Sequence, residues 1–308
     1  ELCIDSRRII HPSSAIFFAL STEFRNGHSY INDCYKKGVR NFIVHQPIDL
    51  KLLQDANVIL VENSLTALQQ LSTYHRSQFQ IPVIGITGSN GKTIVKEWLY
   101  QLLYQNYHII RSPKSYNSQV GVPLSVWAMN NHHTLAVFEA GISQTGEMQQ
   151  LQQIIQPTIG IFTNLGEAHQ QGFANKEEKL KEKLKLFQLA ETVICSPGGV
   201  AGIEQFISPK KCITWGTDTE NALQIIGITK QTHETSFLLN WKQTLPFTIT
   251  IPFTDDASAD NALTCICTCL HLGIQVEELQ KKCLQLRSVN LRLEIKKGLH
   301  HTTIINDS

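Results

Sequence analysis

Residues 81–93 read IPVIGITGSNGKT, an apolar run that leads into a glycine-rich loop and ends on Lys92 and Thr93. Such a loop lets successive backbone N–H groups curl around phosphate oxygens, while the lysine reaches the β- and γ-phosphates and the threonine hydroxyl binds Mg²⁺. The loop follows a predicted strand and opens a predicted helix. We therefore expect a mononucleotide to contact six consecutive residues, Gly88, Ser89, Asn90, Gly91, Lys92 and Thr93.

The spacing of this loop departs from the common pattern. Four residues normally separate a first glycine from GK[ST], and that first position is Ile86 here, with Gly85 one residue further back. No guanine-reading N-K-x-D sequence follows, so ATP is favoured over GTP. The alternative is a glycine turn that arose by chance.

The segments on either side of the loop predict the fold class, which is α/β. From residue 81 to about residue 199, apolar runs alternate with helical patterns, which predicts a mostly parallel, doubly wound sheet. Residues 212–253 alternate apolar with polar positions and predict an antiparallel addition. We expect a small N-terminal α/β domain at 1–79, a central domain at 80–292, and a hairpin at 293–308 that begins a third domain.

The composition narrows the class of protein. The chain has 308 residues, of which 42% are hydrophobic and 17% charged, enough for two domains with cores of their own. Its net charge of +1 gives no reason to expect nucleic acid or an anionic membrane surface as a partner. No apolar run approaches the ~20 residues of a membrane span, and the first residues lack the apolar core of a secretory signal.

The eight cysteines are expected to be reduced and mostly buried. Three of them lie in CICTC (265–269), where Cys265 and Cys269 share a helical face that Cys267 does not. This spacing differs from the C-x₂-C pairs of metal sites, although metal binding and disulfide formation stay open as alternatives. Reduced thiols favour a cytoplasmic protein.

A carboxylate and a lysine are candidates for metal chemistry. Glu139 ends the predicted strand TLAVFEAG (134–141), and a carboxylate at that edge of the sheet is placed to bind Mg²⁺ or, alternatively, to cap its loop. In KEEKLKEKLKLF (176–187), Lys183 falls inside the apolar helical arc and Lys179 near its edge. Burial lowers a lysine pKa, and a neutral amine can take up CO₂ as a carbamate, which is an anionic metal ligand. The alternative is a structural lysine whose ammonium reaches water.

The sequence TGSNGKT resembles the Mur ligases, ATP-dependent enzymes that add amino acids to the peptidoglycan precursor. Further stretches are similar to motifs of the same family, so the resemblance covers essentially the whole chain. They are DSRRIIHPSSAIFFAL (5–20), SYNSQVGVP (115–123), EAGISQTGEM (139–148), TNLGEAHQQGF (163–173) and IINDS (304–308).

The resemblance implies a second Mg²⁺ site. In the family, the histidine that matches His169 binds the second Mg²⁺ together with a carbamylated lysine, and gapless comparison places that lysine on Lys183. Glu182 and Lys185 depart from the family pattern, which has Ala and Glu at these positions. We expect Asn164 to shape its turn rather than to touch substrate.

The resemblance also implies contacts to substrate and ATP. Ser6 and Arg7 match contacts to the UDP end of the precursor, and Asn117 matches a substrate contact, although Ser115 and Ser118 replace family asparagines. The alternatives are a turn with an ion pair at Asp5–Arg7 and a helix cap at Asn117. Three more residues match positions near ATP: Asn261, which could instead cap a helix start, Arg292 and Asp307. Ala257 and Ser258 replace two family adenine contacts.

The activity that the resemblance implies is the addition of D-alanyl-D-alanine to UDP-N-acetylmuramoyl-tripeptide. Ligases that add lysine or diaminopimelate usually have T-T-P where this chain has Gly121-Val122-Pro123. The alternatives are another member of the family and a non-catalytic module that binds nucleotide and UDP-sugar. Further domains are expected beyond residue 308, namely the rest of a C-terminal ligase domain and, in some relatives, an alanine racemase. We expect the 308 residues alone to bind precursor and ATP with little turnover.

Overall fold

A computed structural model gives the fold and describes residues 1–166, 172–196, 203, 206–289, 294–297 and 302–306. The N-terminal part forms a parallel sheet with the strand order β1-β2-β5-β6. In chain order the strands are β1 (Leu2–Cys3), β2 (Ile16–Phe18), β3 (Ser21–Thr22), β4 (Arg25–Asn26), β5 (Asn41–Val44) and β6 (Asn57–Leu60), and β3 pairs with β4. Its helices are α1 (Ile31–Lys36) and α2 (Ser64–Ser77). Phe17 and Phe42 meet edge to face in its core, which is the small α/β unit that the sequence predicts.

The central part is built on a nine-stranded sheet of order β15-β14-β13-β12-β11-β10-β7-β9-β8. Its strands are β7 (Val83–Thr87), β8 (Ile109–Arg111), β9 (Leu135–Glu139), β10 (Ile159–Phe162), β11 (Thr192–Cys195), β12 (Cys212–Gly216), β13 (Leu223–Lys230), β14 (Thr235–Trp241) and β15 (Phe247–Ile251). The neighbouring strands from β8 across the sheet to β13 pair parallel, whereas β14 pairs antiparallel with both β13 and β15. The antiparallel addition predicted for 212–253 therefore begins later than expected, at the β13–β14 pair.

Helices cover both faces of this sheet, as the doubly wound prediction requires. They are α3 (Lys92–Leu103), α4 (Gly121–Trp127), α5 (Glu147–Ile155), α6 (Lys176–Leu184), α7 (Asp256–His271) and α8 (Val276–Cys283). One apolar cluster joins α3, α7 and α8 to the sheet through side chains such as Trp98 and Ile266. The other joins α4, α5 and α6 through Val126, Leu151 and Leu184. Within the described residues, no helix combines the length and apolarity that a bilayer crossing would need.

The CICTC stretch lies inside α7, and its three thiols are buried in the first of these clusters. Burial raises the pKa of each of these thiols, so they are protonated apolar groups rather than thiolates. The prediction of buried cysteines is confirmed for this segment.

The last described elements pair as the sequence predicts. Strands β16 (Glu294–Lys297) and β17 (Thr303–Asn306) form an antiparallel hairpin, with Glu294 opposite Asn306.

Three central strands of the large sheet end at the same edge. Strand β7 lies between β10 and β9, and the register sets Thr87 beside Phe162 and Ile86 beside Glu139. The carboxyl ends of these three strands therefore reach the same edge of the sheet. In open α/β sheets this is the edge at which ligands bind.

Helix α2 ties the N-terminal part to the central part. Ser72 Oγ donates to the carbonyl of Pro123 at 3.1 Å, and His75 Nε2 donates to that of Met129 at 3.0 Å. Arg76 is buried and donates to three carbonyls, Ile155 O at 2.9 Å, Phe79 O at 2.7 Å and Gln156 O at 3.1 Å. The Arg76 guanidinium thus joins the connection between α2 and β7, through Phe79 O, to the end of α5.

We expect Arg76→Met to lower the free energy of unfolding by about 2–3 kcal/mol, because carbonyls that accept hydrogen bonds from Arg76 would stay buried without a donor. Urea denaturation measures this effect. Arg25→Met, which alters an exposed arginine, is the control and is expected to change stability by less than about 0.5 kcal/mol. Equal effects of the two substitutions would contradict this role for Arg76.

Candidate functional site

The glycine-rich loop joins the end of β7 to the start of α3, as predicted. Gly88 and Gly91 have φ values of +141° and +82°, which L side chains rarely adopt. A Cβ on Gly88 would lie 2.0 Å from Thr163 Oγ1, and a Cβ on Gly91 would lie 2.3 Å from Asn261 Oδ1. Both positions therefore require glycine for close contact as well as for backbone conformation.

Asn164 holds this loop from the neighbouring strand end. Its carbonyl accepts from Ser89 N at 2.8 Å, and its Oδ1 accepts from Asn90 N at 3.1 Å. Thr163 Oγ1 donates to Asn90 O at 2.5 Å. Two amides expected to face phosphate thus donate to Asn164 in this conformation. Asn164 does more than shape its own turn, because it fixes the loop.

Asn261 lies where a nucleotide contact was expected, against Gly91. The alternative role as a cap of the helix start is wrong. Helix α7 begins at Asp256, and Asp255 caps it by accepting from Ser258 N at 2.7 Å. Asn261 lies within the helix with most of its surface buried against the loop.

Thr93 and Glu139 meet beside the loop. Thr93 Oγ1 donates to Glu139 Oε2 at 3.1 Å and lies 3.2 Å from Ser115 Oγ. The side chain of Glu139 is completely buried at the end of β9. Three oxygen-bearing side chains therefore converge at one point, and Ser115 is one of them although it replaces a family asparagine.

Lys96 is a participant that the sequence reasoning missed. Its Nζ lies 3.0 Å from Glu139 Oε1 and 3.1 Å from Glu97 Oε1, and it donates to Ser112 O at 2.8 Å. Its side chain is completely buried. One signal could have found it, because Lys96 follows Thr93 by three residues and so shares its helical face.

The lysines of α6 reach the same site. Lys183 is buried and its Nζ donates to Gly88 O at 3.0 Å, the carbonyl to which Lys92 Nζ also donates at 3.0 Å. Burial lowers the pKa of Lys183 to about 7, with smaller contributions from the charges of Lys92 and Lys179. Lys179, expected at the edge of the arc, is buried too and donates to Gly166 O at 2.9 Å.

The two departures from the family pattern, Glu182 in α6 and Lys185 directly after it, contact each other. Glu182 is buried, and its Oε1 accepts from Gly146 N at 2.9 Å and Met148 N at 3.2 Å at the start of α5. Its Oε2 pairs with Lys185 Nζ at 2.5 Å. A carboxylate at a helix N-terminus is favourable, so Glu182 fastens α6 to α5 and thereby places Lys183.

A cavity of about 330 Å³ connects the two lysines that donate to Gly88 O with the predicted substrate residue. Lys92, Lys183, Asn117 and Glu147 are among its lining residues. Asn117 is not the cap of α4, because that helix begins at Gly121 with Val120 as N-cap, and Gly121 N donates to Ser118 Oγ instead. The backbone carbonyl of Asn117 accepts from Gly141 N at 2.8 Å, which joins this segment to the end of β9.

A second cavity, of about 440 Å³, lies between the N-terminal part and the segment around Tyr116. Its lining includes Arg7, Arg8 and Arg25, and Arg8 Nη1 donates to Tyr116 Oη at 2.7 Å. The Arg7 guanidinium donates two hydrogen bonds to the Asp5 carboxylate, of 2.9 and 2.8 Å, and they lower the pKa of that carboxyl well below its usual range. Arg7 therefore forms the ion pair of the alternative interpretation, and its side chain also lines the cavity.

Ser6 is directed elsewhere. A hydrogen bond from its hydroxyl to Asp33 helps to lower the pKa of that carboxyl, and Ser6 O accepts from Lys37 Nζ at 2.9 Å. Three further predicted site residues, His169, Arg292 and Asp307, lie outside the described residues, so their predicted roles stay predictions.

Known ligases are similar in sequence to much or nearly all of this chain. The chain is 30% identical over 305 residues to the UDP-N-acetylmuramoyl-tripeptide–D-alanyl-D-alanine ligase of Bacillus subtilis, covering 99% of this chain and 65% of that protein. It is 35% identical over 173 residues to the ligase of the same name from Rickettsia prowazekii, covering 56% of this chain and 38% of the relative. The chain therefore spans less than two thirds of the length of these relatives.

A solved structure and a family model complete the comparison. The crystal structure of MurF from Acinetobacter baumannii superposes with a TM-score of 0.87 at 25% identity, over all of this chain and 67% of that one. The family model of the Mur ligase middle domain matches residues 86–269, from the end of β7 into α7. Its match takes in the phosphate loop, Glu139 and α6, and the chain belongs to the Mur ligase family.

Proposed function

We propose that this chain carries the nucleotide-binding and precursor-binding parts of a cytoplasmic ATP-dependent ligase that joins D-alanyl-D-alanine to UDP-N-acetylmuramoyl-tripeptide. The observation that carries the proposal is the cavity in which Lys92, Lys183 and Asn117 meet, next to the Thr93–Glu139 pair. The names of the relatives supply the identity of the two substrates.

ATP binds at the loop between β7 and α3 in this proposal. Lys92 rests on the carbonyls of Gly88 and Ser89, both at 3.0 Å, so its ammonium is already beside the place of the phosphates. Asn261 lies on the other side of Gly91, where the rest of the nucleotide would extend. Arg292 and Asp307 would add contacts to the nucleotide from beyond α8.

The residues beside the loop fit Mg²⁺. This ion takes oxygen ligands and is commonly held by one or two carboxylates together with substrate phosphates. Thr93 and Glu139 present one hydroxyl and one carboxylate within 3.1 Å of each other. Bound there, Mg²⁺ would neutralise charge on the triphosphate. The second Mg²⁺ is assigned to His169 and to Lys183 in its carbamylated form.

Lys183 has the protonation behaviour that carbamate formation requires. A neutral amine attacks CO₂ and loses a proton, so a pKa near 7 leaves a large share of the lysine reactive at neutral pH. Glu182 is a carboxylate and cannot take up CO₂; its side chain accepts from amides at the start of α5. Glu182 instead fixes the helix that presents Lys183.

The UDP end of the precursor is assigned to the arginine-lined cavity. Arg7, Arg8 and Arg25 supply positive charge to a diphosphate, for which guanidinium groups are suited. Ser6 stabilises the turn that carries Arg7, since its hydroxyl donates to the Asp33 carboxylate. Tyr116 and Asn117 then lead from this cavity to the one that contains Lys92 and Lys183.

The proposed reaction has two steps. A carboxylate oxygen of the precursor bonds to the γ-phosphorus of ATP, the bond to the β–γ bridging oxygen breaks, and ADP leaves. The amine nitrogen of D-alanyl-D-alanine then attacks the acyl carbon, the carbon–oxygen bond to phosphate breaks, and the amine loses a proton. Lys92 would supply positive charge beside the transferred phosphate, and Lys183, as a carbamate, would belong to the second Mg²⁺ site.

The full-length protein, given ATP, UDP-N-acetylmuramoyl-tripeptide and D-alanyl-D-alanine, is expected to release phosphate only when all three are present. We expect Glu139→Gln to reduce kcat/KM by at least about 10²-fold, because it removes a charge beside the triphosphate. Glu278→Gln alters a carboxylate that also pairs with a lysine but lies far from the site, and it is expected to leave the rate unchanged. Absence of phosphate release above background would favour the non-catalytic binding module. Release with another amine instead would favour another ligase of the family.

Carbamate formation at Lys183 is expected to appear as a new ¹³C resonance when the protein is equilibrated with ¹³C-bicarbonate. The pKa of Lys183 is lowered to about 7, so the signal should rise between pH 6 and 8 rather than near the usual lysine value. Lys183→Ala should abolish the resonance, whereas Lys181→Ala, on the exposed face of the same helix, should keep it. A resonance that survives in Lys183→Ala would show that the assignment is wrong.

A further inference from the structure

Lys96 has no role in the proposed function, although it contacts the metal-binding carboxylate. We propose that Lys96 is a positioning residue, which holds Glu139 and the segment 112–117 in the geometry that binds the metal–nucleotide complex. The proposal rests on the proposed function, because it assumes a metal–nucleotide complex beside Thr93.

The first observation is that the two oxygens of the Glu139 carboxylate have different partners. Its Oε1 faces Lys96 Nζ at 3.0 Å, and its Oε2 accepts from Thr93 Oγ1 at 3.1 Å. Apart from Lys96, no described residue gives Oε1 a partner, since it accepts no hydrogen bond of good geometry. Lys96 thus holds Oε1, whereas Oε2 faces the hydroxyl of Thr93. This arrangement favours binding of a metal through Oε2 alone.

The second observation is that Lys96 also holds the segment that follows β8. Its Nζ donates to Ser112 O at 2.8 Å and also contacts Lys114 O. Lys114 has a φ of +50°, a conformation that a non-glycine residue keeps only when its surroundings hold it there. Ser112 Oγ in turn accepts from the backbone N of Glu139 at 3.2 Å. Lys96 therefore connects the metal-binding carboxylate with the segment that leads to Ser115.

That segment also carries the predicted substrate contact. Ser115 Oγ lies 3.2 Å from Thr93 Oγ1, and Asn117 lines the cavity that contains Lys92. A single ammonium thus sets the distance between the place of the metal and the place of the precursor. A displacement of about 1 Å between reacting groups can cost about 10²-fold in rate, so such a tie has a functional consequence.

The third observation is that Lys96 also faces a second carboxylate, that of Glu97, which limits how far its charge offsets that of Glu139. Lys96 Nζ also lies 3.1 Å from Glu97 Oε1, and Glu97 Oε2 accepts from Arg111 Nε at 3.1 Å. Charges therefore alternate from the half-buried Arg111 inwards to the buried Glu139. Because Lys96 faces two carboxylates, it offsets the charge of Glu139 less than a lysine paired with Glu139 alone would.

The test is binding of Mn²⁺ to the full-length protein in the presence of ADP, followed by electron paramagnetic resonance, together with the affinity for ADP in metal-free buffer. We expect Lys96→Met to weaken Mn²⁺ binding about 10- to 100-fold, as is typical for residues that orient a metal ligand. Metal-free ADP affinity should change by less than about twofold. Loss of a cation would by itself favour Mn²⁺ binding, so the sign of the change separates positioning from simple charge.

Two further variants make the result decisive. Lys282→Met is the matched control, because Lys282 also donates to a backbone carbonyl, Leu102 O, and pairs with a glutamate, Glu278, but lies away from the site. If Lys96→Met does not fold, Lys96→Gln takes its place, since glutamine keeps a hydrogen-bond donor and should also weaken Mn²⁺ binding. In a Glu139→Gln background, the Lys96 substitution should add little, because the two residues act as one unit.

Unchanged or tighter Mn²⁺ binding in a folded Lys96 variant would overturn the proposal. So would an equal loss of metal-free and metal-dependent ADP binding, which would show a merely structural role. A wild-type protein that binds no ADP would instead contradict the proposed function on which this inference rests.

Discussion

The site depends on one buried carboxylate. Glu139 is completely buried at the end of a central strand, and a buried charge is costly unless a partner matches it. Thr93 and Lys96 supply that match from α3, and Ser112 receives the backbone N–H of Glu139 from the end of β8. Strand β9, helix α3 and the segment that follows β8 are thereby fixed relative to one another around a single group.

The phosphate loop is constrained from the opposite side of β7. Asn164 accepts from two loop amides, while Lys92 and Lys183 both donate to Gly88 O. Burial lowers the pKa of Lys183, and the charge of Lys92, which donates to the same carbonyl, lowers it further. The loop thus brings Lys92, which we propose to bind phosphate, together with Lys183, which we propose to take up CO₂.

Local patterns were enough to predict much of this arrangement. Glycine and threonine positions identified the loop, its strand and its helix, and helical phase placed Lys183 on a buried face. The role of Lys96 could not be predicted in this way, because it depends on a strand 43 residues further along the chain. The contacts of Lys179 and Glu182 could not be predicted for a related reason, since carbonyl and amide groups from other elements accept from or donate to them. The parallel pairing of β12 and β13 was missed because alternation of apolar residues does not report strand direction.

The central claim is that Thr93 and one oxygen of Glu139 bind the metal of a metal–nucleotide complex. Anomalous diffraction from a crystal of the full-length protein with ADP and Mn²⁺ tests it most directly. The account predicts a Mn²⁺ peak in bonding contact with Thr93 Oγ1 and Glu139 Oε2, with Lys96 Nζ still on Oε1. A peak remote from Glu139, or one bound by both of its carboxylate oxygens, would contradict it.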